Sequence, residues 1–473
     1  MSKKKIMSAK YIRIAKRIIE QIEREHILIG AKMPSLRQFC ELHNISMTTA
    51  LACYRYLEKF DYLSAEYKKG YYVQRPCVVP QPIRRQTFPL FKTKVCNTDK
   101  RPEQRPITES DYSLATAQLD TTLIDRASLA RCLKAVTKDA DFTLLYDEIN
   151  GSLALRTQLS QHFATQGFTV AEEELVITNG CLDAVLIALE SFSQAGDVIA
   201  VSSPCYSGLL DILATIGRAV IEIPSTETGM DLVQLESALI TQKVKACLFT
   251  ANHQNPTGHS LGNKQKQAIA ELASKYQVPI IEDDVFRELS HQRTIPLPIK
   301  YYDQQGWVIW CSSVSKTLAP GLRIGWCVPG RFTDKFIRQR QARTLGVNQP
   351  MQLALARYIA KGYYATHINK VNRALRTNSD QYIAFLHAHL PTHADVYAPS
   401  GGLVLWLTLP AVDTQTLADE LSEKGVYVKA GAQFSSTRLY NDCLRINMGN
   451  LASCEIYAQL KLLCKLARKR MNT

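Results

Sequence analysis

The chain has 473 residues, of which 46% are hydrophobic and 21% charged, with a net charge of +14 and 13 cysteines. This length predicts at least two domains, and these fractions are those of a soluble globular protein. No apolar run reaches the length of a membrane helix, about 18 residues, and the N-terminal segment MSKKKIMSAK lacks the apolar core of a signal peptide. We therefore expect a cytoplasmic protein. Because the cysteines form no CxxC pair, we also expect reduced thiols and no metal site.

The positive charge is concentrated at the front of the chain. Residues 1–78 hold 15 Lys and Arg against 7 Asp and Glu, a net +8, and residues 79–110 hold 7 against 3, a net +4. The remaining residues therefore carry only +2 of the total +14. A basic module on a nearly neutral body indicates contact with a polyanion such as nucleic acid. A merely solvated basic surface is the alternative that charge alone leaves open.

Three amphipathic helices and a hairpin are predicted in this front module. YIRIAKRIIEQIEREHI repeats isoleucine every four residues, as one face of a helix does. The second helix starts at Ser35 and carries Leu36, Phe39 and Leu42 on one face, and Ser46 caps the third. YLSAEYKKGYYV then predicts two short strands around a turn. These are the parts of a winged helix-turn-helix.

A second, larger domain follows a linker. Residues 79–110 are basic and rich in proline, which predicts an extended, semi-stiff linker. From about residue 111, short apolar runs alternate with longer helical stretches; the runs are DVIAVSS, AVIEIP, KACLFT, VPIIED, WVIWCSS and GWCV. This alternation predicts an α/β domain with a largely parallel sheet. Ligands of such sheets bind at the carboxyl ends of the strands.

Polar or aromatic residues follow several of these runs. Gly180 precedes a helix whose backbone N–H groups would receive a phosphate, although such a glycine is more often a plain turn. Tyr206 follows a strand and would stack on a flat ligand, unless it is an ordinary surface or core tyrosine. Asn255, within NPTG, offers a side-chain donor, but this tetrapeptide is commonly just a turn.

Two further segments carry charged groups at strand ends. In IIEDDVF, Asp283 and its acidic neighbours follow a buried strand, which is costly unless a cation such as a protonated ring nitrogen pairs with them. In SVSKTLAPGLRIGW, Lys316 stands near Ser313, Ser315 and Arg323. This set combines an amine nucleophile with a phosphate clamp.

In this order the features match what a phosphorylated aromatic aldehyde requires, and residues 111–473 resemble the fold-type-I aminotransferases, which bind pyridoxal 5'-phosphate (PLP). SKTLAPGLRIGW and NPTG carry the resemblance. It implies that Lys316 forms the Schiff base with PLP, that Asp283 pairs with the pyridine nitrogen, that Tyr206 stacks on the ring and that Asn255 reaches the phenolic oxygen. The resemblance also implies the residues around the phosphate: Gly180, Cys181, Leu182, Ser313, Ser315 and Arg323.

Two more segments extend this resemblance. In YDEINGSLALR, Tyr146 corresponds to a tyrosine that reaches the neighbouring subunit's phosphate, which implies a dimer. In LRINMG, Arg445 corresponds to the arginine that clamps a substrate's α-carboxylate. The sequence departs from the family at Val285 and Phe286, where relatives carry a tyrosine hydroxyl for the cofactor, and at Leu182, where they often carry a polar side chain. The first departure would weaken turnover without preventing binding.

Residues 11–75 resemble the GntR-type winged helix over the whole module, from GAKMPSLRQFCELHNISMTTALACYRYLEKFDYL to the wing KKGYYV. The resemblance implies that Ser35 and Arg37 contact phosphate, and that Ser46, Thr48 and Thr49 enter the major groove. Alternatively, Arg37 is simply a solvent-exposed charge on a helix and does not contact DNA. Many relatives have arginine at the position of Met47, so the base preference differs. Further DNA-contact candidates are Arg55, Lys68, Lys69 and Gly70.

The predicted domain order resembles that of the MocR subfamily of bacterial transcription regulators. It consists of a winged helix at 1–78, a linker at 79–110 and an aminotransferase-like domain at 111–473, which ends in a smaller C-terminal α/β subdomain. This resemblance implies a nucleoid-associated, head-to-tail homodimer that binds double-stranded DNA and senses an amino acid, an amine or PLP itself at Lys316. There are two alternatives. One is a genuine aminotransferase with a fused DNA-binding module, and the other is a regulator whose large domain has lost the cofactor and only dimerises. The sequence leaves open the effector, the operator, the sign of regulation and any transamination.

Overall fold

The structure, a computed structural model, divides into two compact units, residues 1–85 and 86–473. Within the part of the chain that it describes, no helix is both long and apolar enough to span a membrane. The described residues are 10–23, 27, 31–59, 62–66, 70–73, 93–97, 114–139, 145–146, 148–226, 228–292 and 294–471.

The described residues of the first unit form three helices and a hairpin, in the predicted order: α1 (Lys10–Glu23), α2 (Leu36–His43), α3 (Met47–Lys59), β1 (Leu63–Glu66) and β2 (Gly70–Val73). The Ser35 hydroxyl accepts from the N–H of Gln38 at 3.4 Å, and the Gln38 side chain accepts from the N–H of Ser35 at 3.0 Å. This reciprocal pair satisfies donors that a helix leaves free at its first turn. The sequence therefore fixes where α2 begins.

The buried core of this unit draws on all three helices, with Ile18, Phe39 and Leu57 among its members. The prediction that Leu42 shares this face is wrong, because its side chain is 70% exposed. A helix turns once in about 3.6 residues, so two steps of three residues rotate a side chain away from the face on which they began. Leu36 is half-buried and Phe39 buried, and Leu42 lies beyond the edge of that face.

A large mixed sheet organises the second unit. In the described residues nine strands pair in the order β3-β6-β5-β8-β9-β10-β11-β4, with β7 beside β6. From β6 to β10 neighbouring strands are parallel, whereas β11 is antiparallel to both β10 and β4. The strands are β3 (Cys96–Asn97), β4 (Val176–Thr178), β5 (Val198–Ser203), β6 (Ala219–Thr226), β7 (Gly229–Met230), β8 (Ala246–Phe249), β9 (Ile280–Asp283), β10 (Val308–Ser313) and β11 (Gly325–Val328).

The strands of this sheet are mostly apolar and buried, as is typical of a parallel sheet that is covered on both faces; all six residues of β10 are buried. A largely parallel sheet was the prediction, and the parallel core is present, but GWCV forms the antiparallel β11. The helices along this part of the chain are α4 (Arg126–Thr137), α5 (Leu153–Thr165), α6 (Cys181–Phe192), α7 (Ser207–Thr215), α8 (Leu232–Thr241), α9 (Asn263–Tyr276), α10 (Thr333–Gln341), α11 (Gln349–Ala360) and α12 (Tyr363–His389).

A smaller C-terminal subdomain follows α12. Its sheet has the order β12-β13-β15-β14 and is antiparallel throughout. Leu405 and Leu407 of one strand, Leu444 of another and Leu460 of the last helix share its core. The elements are β12 (Asp395–Val396), β13 (Val404–Thr408), α13 (Thr414–Glu423), β14 (Lys429–Ala430), β15 (Cys443–Asn447) and α14 (Cys454–Met471).

Strand β3 lies inside the stretch predicted as linker and was not itself predicted. Cys96 and Asn97 pair with Val220 and Ala219 at the edge of the large sheet. A two-residue strand carries too little pattern to be recognised in a sequence. The parallel strands β5, β8, β9 and β10 end at the same edge, so the residues that follow them converge there.

Candidate functional site

Lys316 follows β10 by three residues, and its ammonium group is held inside the second unit. Its Nζ donates to the carbonyl oxygen of Ala117 at 2.7 Å. Burial and the nearby cations of Arg445 and Arg323 together lower the pKa of Lys316 to about 8, although the carboxylate of Asp283 opposes the shift. A lysine with this pKa is partly neutral near neutral pH, and the neutral amine is the nucleophile.

Asp283 is the last residue of β9 and is only 4% exposed. The thiol of Cys181 donates to its Oδ1 at 3.3 Å. Burial raises the pKa of Asp283, whereas the Cys181 thiol, the backbone N–H of Val285 and the charge of Lys316 act in the opposite direction. A buried acceptor with so few donors suits a cationic partner, since burial of an unpaired carboxylate is costly.

The two acidic neighbours of Asp283 have other roles. Glu282 accepts from the backbone N–H groups of Ile299 at 2.8 Å and Lys300 at 3.1 Å. Asp284 accepts from Trp310 Nε1 at 2.8 Å and from Asn252 Nδ2 at 2.9 Å. These bonds tie the carboxylates to neighbouring loops and strands, so Asp283 is the member of the acidic triplet that is left for a ligand.

An anion cradle lies between the start of α6 and the turn after β10. Gly180 is the N-cap of α6 with φ +95°, and an added Cβ there would lie 2.6 Å from Arg323 Nη2. Arg323 donates from Nη2 to the Asn179 carbonyl at 2.9 Å and from Nη1 to Ser315 Oγ at 3.4 Å, and Ser313 Oγ accepts from the Ser315 N–H at 3.3 Å. The first N–H groups of a helix have no acceptor within it and favour negative charge. The guanidinium of Arg323, the hydroxyls of Ser313 and Ser315 and the first N–H groups of α6 are therefore close together, and all of them suit an anion.

Arg445 lies in β15 and is 3% exposed. Its Nη1 donates to Asn255 Oδ1 at 3.4 Å, and its Cζ lies 5.7 Å from the centre of the Phe434 ring. Within the described part of the chain, Nε and Nη2 are buried without a hydrogen-bond acceptor. Burial lowers the pKa of Arg445 to about 10, so it stays charged at neutral pH. A buried charged fork with two open donors fits a carboxylate.

Tyr206 is the N-cap of α7 and is half-buried. Its ring lies against Gly208, where an added Cβ would be 2.7 Å from Cε1. Burial raises the pKa of the Tyr206 hydroxyl and the nearby Arg445 lowers it, so ring and guanidinium share one environment. A flat ring beside this cation and Asn255 is able to cover a planar ligand.

The structure brings together the predicted residues at the strand ends, with three qualifications. Tyr146 is 81% exposed in the single chain. Phe286 is 2% exposed and packs in an apolar cluster with Leu289 and Leu403, so it offers no polar group to a ligand. Leu182 is 39% exposed, and only its backbone N–H is suited to an anion.

Some residues at the site were missed by the sequence analysis. Ala117 and Asn179 contribute backbone carbonyls, to Lys316 and Arg323 respectively. A backbone carbonyl leaves no mark on side-chain identity, so no pattern in one sequence would reveal it. Phe434 beside Arg445 was also missed, because a lone aromatic residue is typical of any core.

The DNA-contact candidates lie in the first unit. Ser46 Oγ accepts from the N–H of Thr49 at 3.3 Å, so this hydroxyl, like that of Ser35, caps a helix. Thr49 is half-buried. Gly70 has φ +112°, which favours glycine at the start of β2. Lys68 and Lys69 lie outside the described residues, whereas the exposed candidates are Ser35, Arg37, Ser46, Thr48, Arg55 and Gly70.

The family model for aminotransferase class I and II matches residues 111–459. The chain belongs to this family. It is 32% identical over 445 residues to the uncharacterized HTH-type transcriptional regulator YjiR of Escherichia coli strain K12, across 93% of this chain and 94% of YjiR. It is 31% identical to the uncharacterized HTH-type transcriptional regulator YdcR of the same organism, across 93% of this chain and 94% of YdcR.

A solved aminotransferase has the same fold as the second unit. The kynurenine aminotransferase of Pyrococcus horikoshii, crystallised with PMP, is 26% identical with a TM-score of 0.70, across 78% of this chain and 95% of the enzyme. The regulators match 93% of the chain, more than the aminotransferase-like residues 111–473 alone provide. The likeness to regulators therefore extends into the front module, as the sequence predicted.

The residues at the strand ends of this aminotransferase-family chain fit PLP. The cradle of Gly180, Ser315 and Arg323 suits its phosphate, and Asp283 suits its ring nitrogen. Lys316 supplies the amine that a cofactor aldehyde needs. The fit rests on chemically distinct groups that converge on one edge of the sheet.

Proposed function

We propose that the protein is a PLP-dependent transcription regulator of the MocR type, with a GntR-type winged helix in residues 1–78 and a linker over 79–110. The observation that carries the proposal is the convergence of Lys316, Asp283 and the cradle of Gly180 and Arg323 in a chain similar to HTH-type regulators over 93% of its length. The front module, with a net charge of +8, would bind double-stranded DNA.

When bound, PLP supplies an aldehyde that condenses reversibly with primary amines and absorbs visible light. Lys316 would hold the cofactor covalently, and the Ala117 carbonyl would receive its amine when released. Asp283 would keep a proton on the ring nitrogen, and Tyr206 would shield the ring from water. Because Oδ1 of Asn255 accepts from Arg445, its Nδ2 is the donor that remains for the phenolic oxygen.

The effector in this proposal is either an amino acid or another primary amine, which competes with Lys316 for the cofactor aldehyde, or PLP itself, which binds to Lys316. Support for an amino acid comes from Arg445, whose buried Nε and Nη2 have no acceptor among the described residues. A carboxylate would satisfy both donors at once. The net effect of effector binding would then be a change in how the regulator addresses DNA.

The active form in this proposal is a head-to-tail homodimer. Tyr146, 81% exposed in the single chain, would reach the partner's cofactor phosphate. Paired winged helices would address two half-sites, as dimeric DNA-binding proteins do. In each winged helix, Ser35 and Arg37 would contact the phosphate backbone of the DNA. The start of α3, with Ser46, Thr48 and Thr49, would enter the major groove.

The test has a cofactor arm and a DNA arm. Purified protein is soaked with PLP, unbound PLP is removed, and the visible absorption is recorded beside that of Lys316→Ala, which lacks the amine. Retardation of the gene's own upstream DNA is then measured with and without PLP. The proposal expects a retained Schiff-base absorption band only when Lys316 is present, and DNA binding that responds to the cofactor or to an added amine. Protein that stays colourless, or that fails to retard the DNA in any condition, refutes it.

A second candidate function is aminotransferase catalysis with a fused DNA-binding module, favoured by the intact set of Lys316, Asp283 and Arg445. Burial of Phe286 in the core, where the family places a hydroxyl near the cofactor, favours the sensor instead. Rapid transfer of an amino group to a keto acid would establish the enzyme. The third alternative is a regulator that does not bind the cofactor. In that case the wild-type protein would show the same visible absorption as Lys316→Ala.

A further inference from the structure

A buried carboxylate outside the cofactor site joins the large sheet to the C-terminal subdomain. Glu222 lies in β6 and is 4% exposed. Its Oε2 accepts from the hydroxyl of Ser203 on β5. Its Oε1 accepts from the Ser435 hydroxyl at 3.0 Å and from Ser436, through the N–H at 2.6 Å and the hydroxyl at 2.7 Å. Since a carboxylate only accepts, it can satisfy all four donors together.

These donors fix a segment of the C-terminal subdomain, residues 434–440. The Phe434 carbonyl accepts from the N–H of Cys205 at 2.8 Å. The Tyr440 hydroxyl lies 2.9 Å from Ser203 Oγ, the group that donates to Glu222. The segment is therefore tied at both ends to the carboxyl end of β5, directly before Tyr206.

The same segment forms one wall of the Arg445 site. The Phe434 ring centre lies 5.7 Å from Arg445 Cζ, and Trp406, which pairs with Arg445 across the sheet, packs on Phe434 with ring centres 5.6 Å apart. A guanidinium whose Nε and Nη2 lack acceptors among the described residues keeps its direction only if its surroundings hold it. Phe434 provides such a support, and Glu222 holds the residues that follow Phe434.

We infer that Glu222 is a positioning residue for the effector's carboxylate. By fixing residues 434–440 it sets the direction in which Arg445 presents its open donors. The inference rests on the proposed function, in which Arg445 receives a carboxylate. Charge matters here because hydrogen bonds to an ionised acceptor are about twice as strong as neutral ones. In Glu222→Gln the amide nitrogen no longer accepts from Ser203, so the attachment loosens while the side chain keeps its size.

The experiment separates the carboxylate from the amine with two probes, L-alanine and ethylamine, which differ only by a carboxylate. PLP-loaded protein is titrated with each, and the change in visible absorption gives the affinity. In Glu222→Gln we expect the affinity for L-alanine to fall about tenfold. The affinities for ethylamine and for PLP should change by less than about twofold, because neither ligand places a carboxylate on Arg445.

The matched control is Asp303→Asn, which neutralises another buried carboxylate. Asp303 accepts from Lys300 Nζ at 2.9 Å and from the N–H groups of Trp307 and Val308 at 3.0 and 2.9 Å. It precedes β10, at the opposite edge of the sheet. This variant should leave the ratio of the two affinities unchanged. An equal fall for both probes in Glu222→Gln, or a changed ratio in Asp303→Asn, would mean that the effect is a general loss of structure and would overturn the inference.

Hydrogen exchange supplies a readout that needs no effector. The amides of residues 434–440 should exchange about tenfold faster in Glu222→Gln and at the wild-type rate in Asp303→Asn. If the wild type responds to neither amine, the proposed effector site fails, and this exchange rate alone decides whether Glu222 holds the segment. Unchanged exchange there refutes the role of Glu222, whatever the fate of the proposed function.

Discussion

The pKa of Lys316 gives a quantitative prediction about cofactor capture. With a pKa of about 8, set by burial and then by Arg445, the neutral fraction of the amine is about 10% at pH 7 and about 90% at pH 9. The rate at which apoprotein captures PLP should therefore rise about tenfold between these values and level off above pH 9. An unperturbed lysine would rise about a hundredfold over the same range without a plateau.

The perturbation that tests the cause is Arg445→Gln. Removal of a cation that favours the neutral amine raises the pKa of Lys316, so the midpoint of the pH profile moves up and capture at pH 7 slows. Rates come from stopped-flow absorbance after apoprotein is mixed with PLP, corrected with a free lysine derivative for the titration of PLP itself. Arg470→Gln, on the far helix α14, is the control. A hundredfold rise in the wild type, or an unmoved midpoint in Arg445→Gln, would refute the reasoning.

Three further predictions concern single substitutions. Gly180→Ala places a methyl group 2.6 Å from Arg323 Nη2 at a backbone φ of +95° and ψ of 172°, and should weaken PLP binding at least about tenfold in an absorbance titration, since such a conformation costs roughly 1–3 kcal/mol in itself. Trp310→Phe removes the 2.8 Å hydrogen bond to buried Asp284 and should lower the free energy of unfolding by about 1–3 kcal/mol, measured by urea denaturation. Arg37→Ala, at an exposed position, should weaken DNA binding equally for specific and random duplexes and reduce the salt slope by about 1, with an unchanged melting temperature.

The convergence of the candidate cofactor residues could be predicted because these residues are tied to strand ends. Lys316 and Asp283 follow apolar runs long enough to be recognised, and parallel strands bring their carboxyl ends to one edge. Gly180 was identified for a related reason, since a glycine before a helix marks the N-terminal N–H groups. Chain order and local chemistry were sufficient for these positions.

Contacts between distant parts of the chain could not be predicted in this way. Glu222 and Ser436 are separated by 214 residues and meet only because the C-terminal subdomain packs on β5 and β6. Neither carries a local signal: a glutamate in an apolar strand and a serine in a loop are both common. The antiparallel direction of β11 was likewise missed, because hydrophobic periodicity gives the existence of a strand and not its direction.

In the proposed function Arg445 receives the effector's carboxylate and also lowers the pKa of the Lys316 amine, and together these two roles affect how long each ligand is retained. A carboxylate on Arg445 neutralises the cation that lowers the pKa of Lys316. The pKa of Lys316 should then rise, so that less neutral amine is present to displace the effector. By reciprocity, a protonated Lys316 favours the carboxylate to the same extent. An amino acid should therefore be held longer than the matching amine for an electrostatic reason, beyond its contact with Arg445.

Acetate tests this coupling without any competing amine. In saturating acetate the midpoint of the PLP-capture profile should move above about 8 in the wild type, and acetate should have no effect in Arg445→Gln. Chloride at equal ionic strength controls for screening, which would otherwise weaken the influence of Arg445 on its own. A midpoint that acetate and chloride shift equally would mean that Arg445 does not receive the carboxylate. Discrimination between amino acids and amines would then have to arise elsewhere in the site.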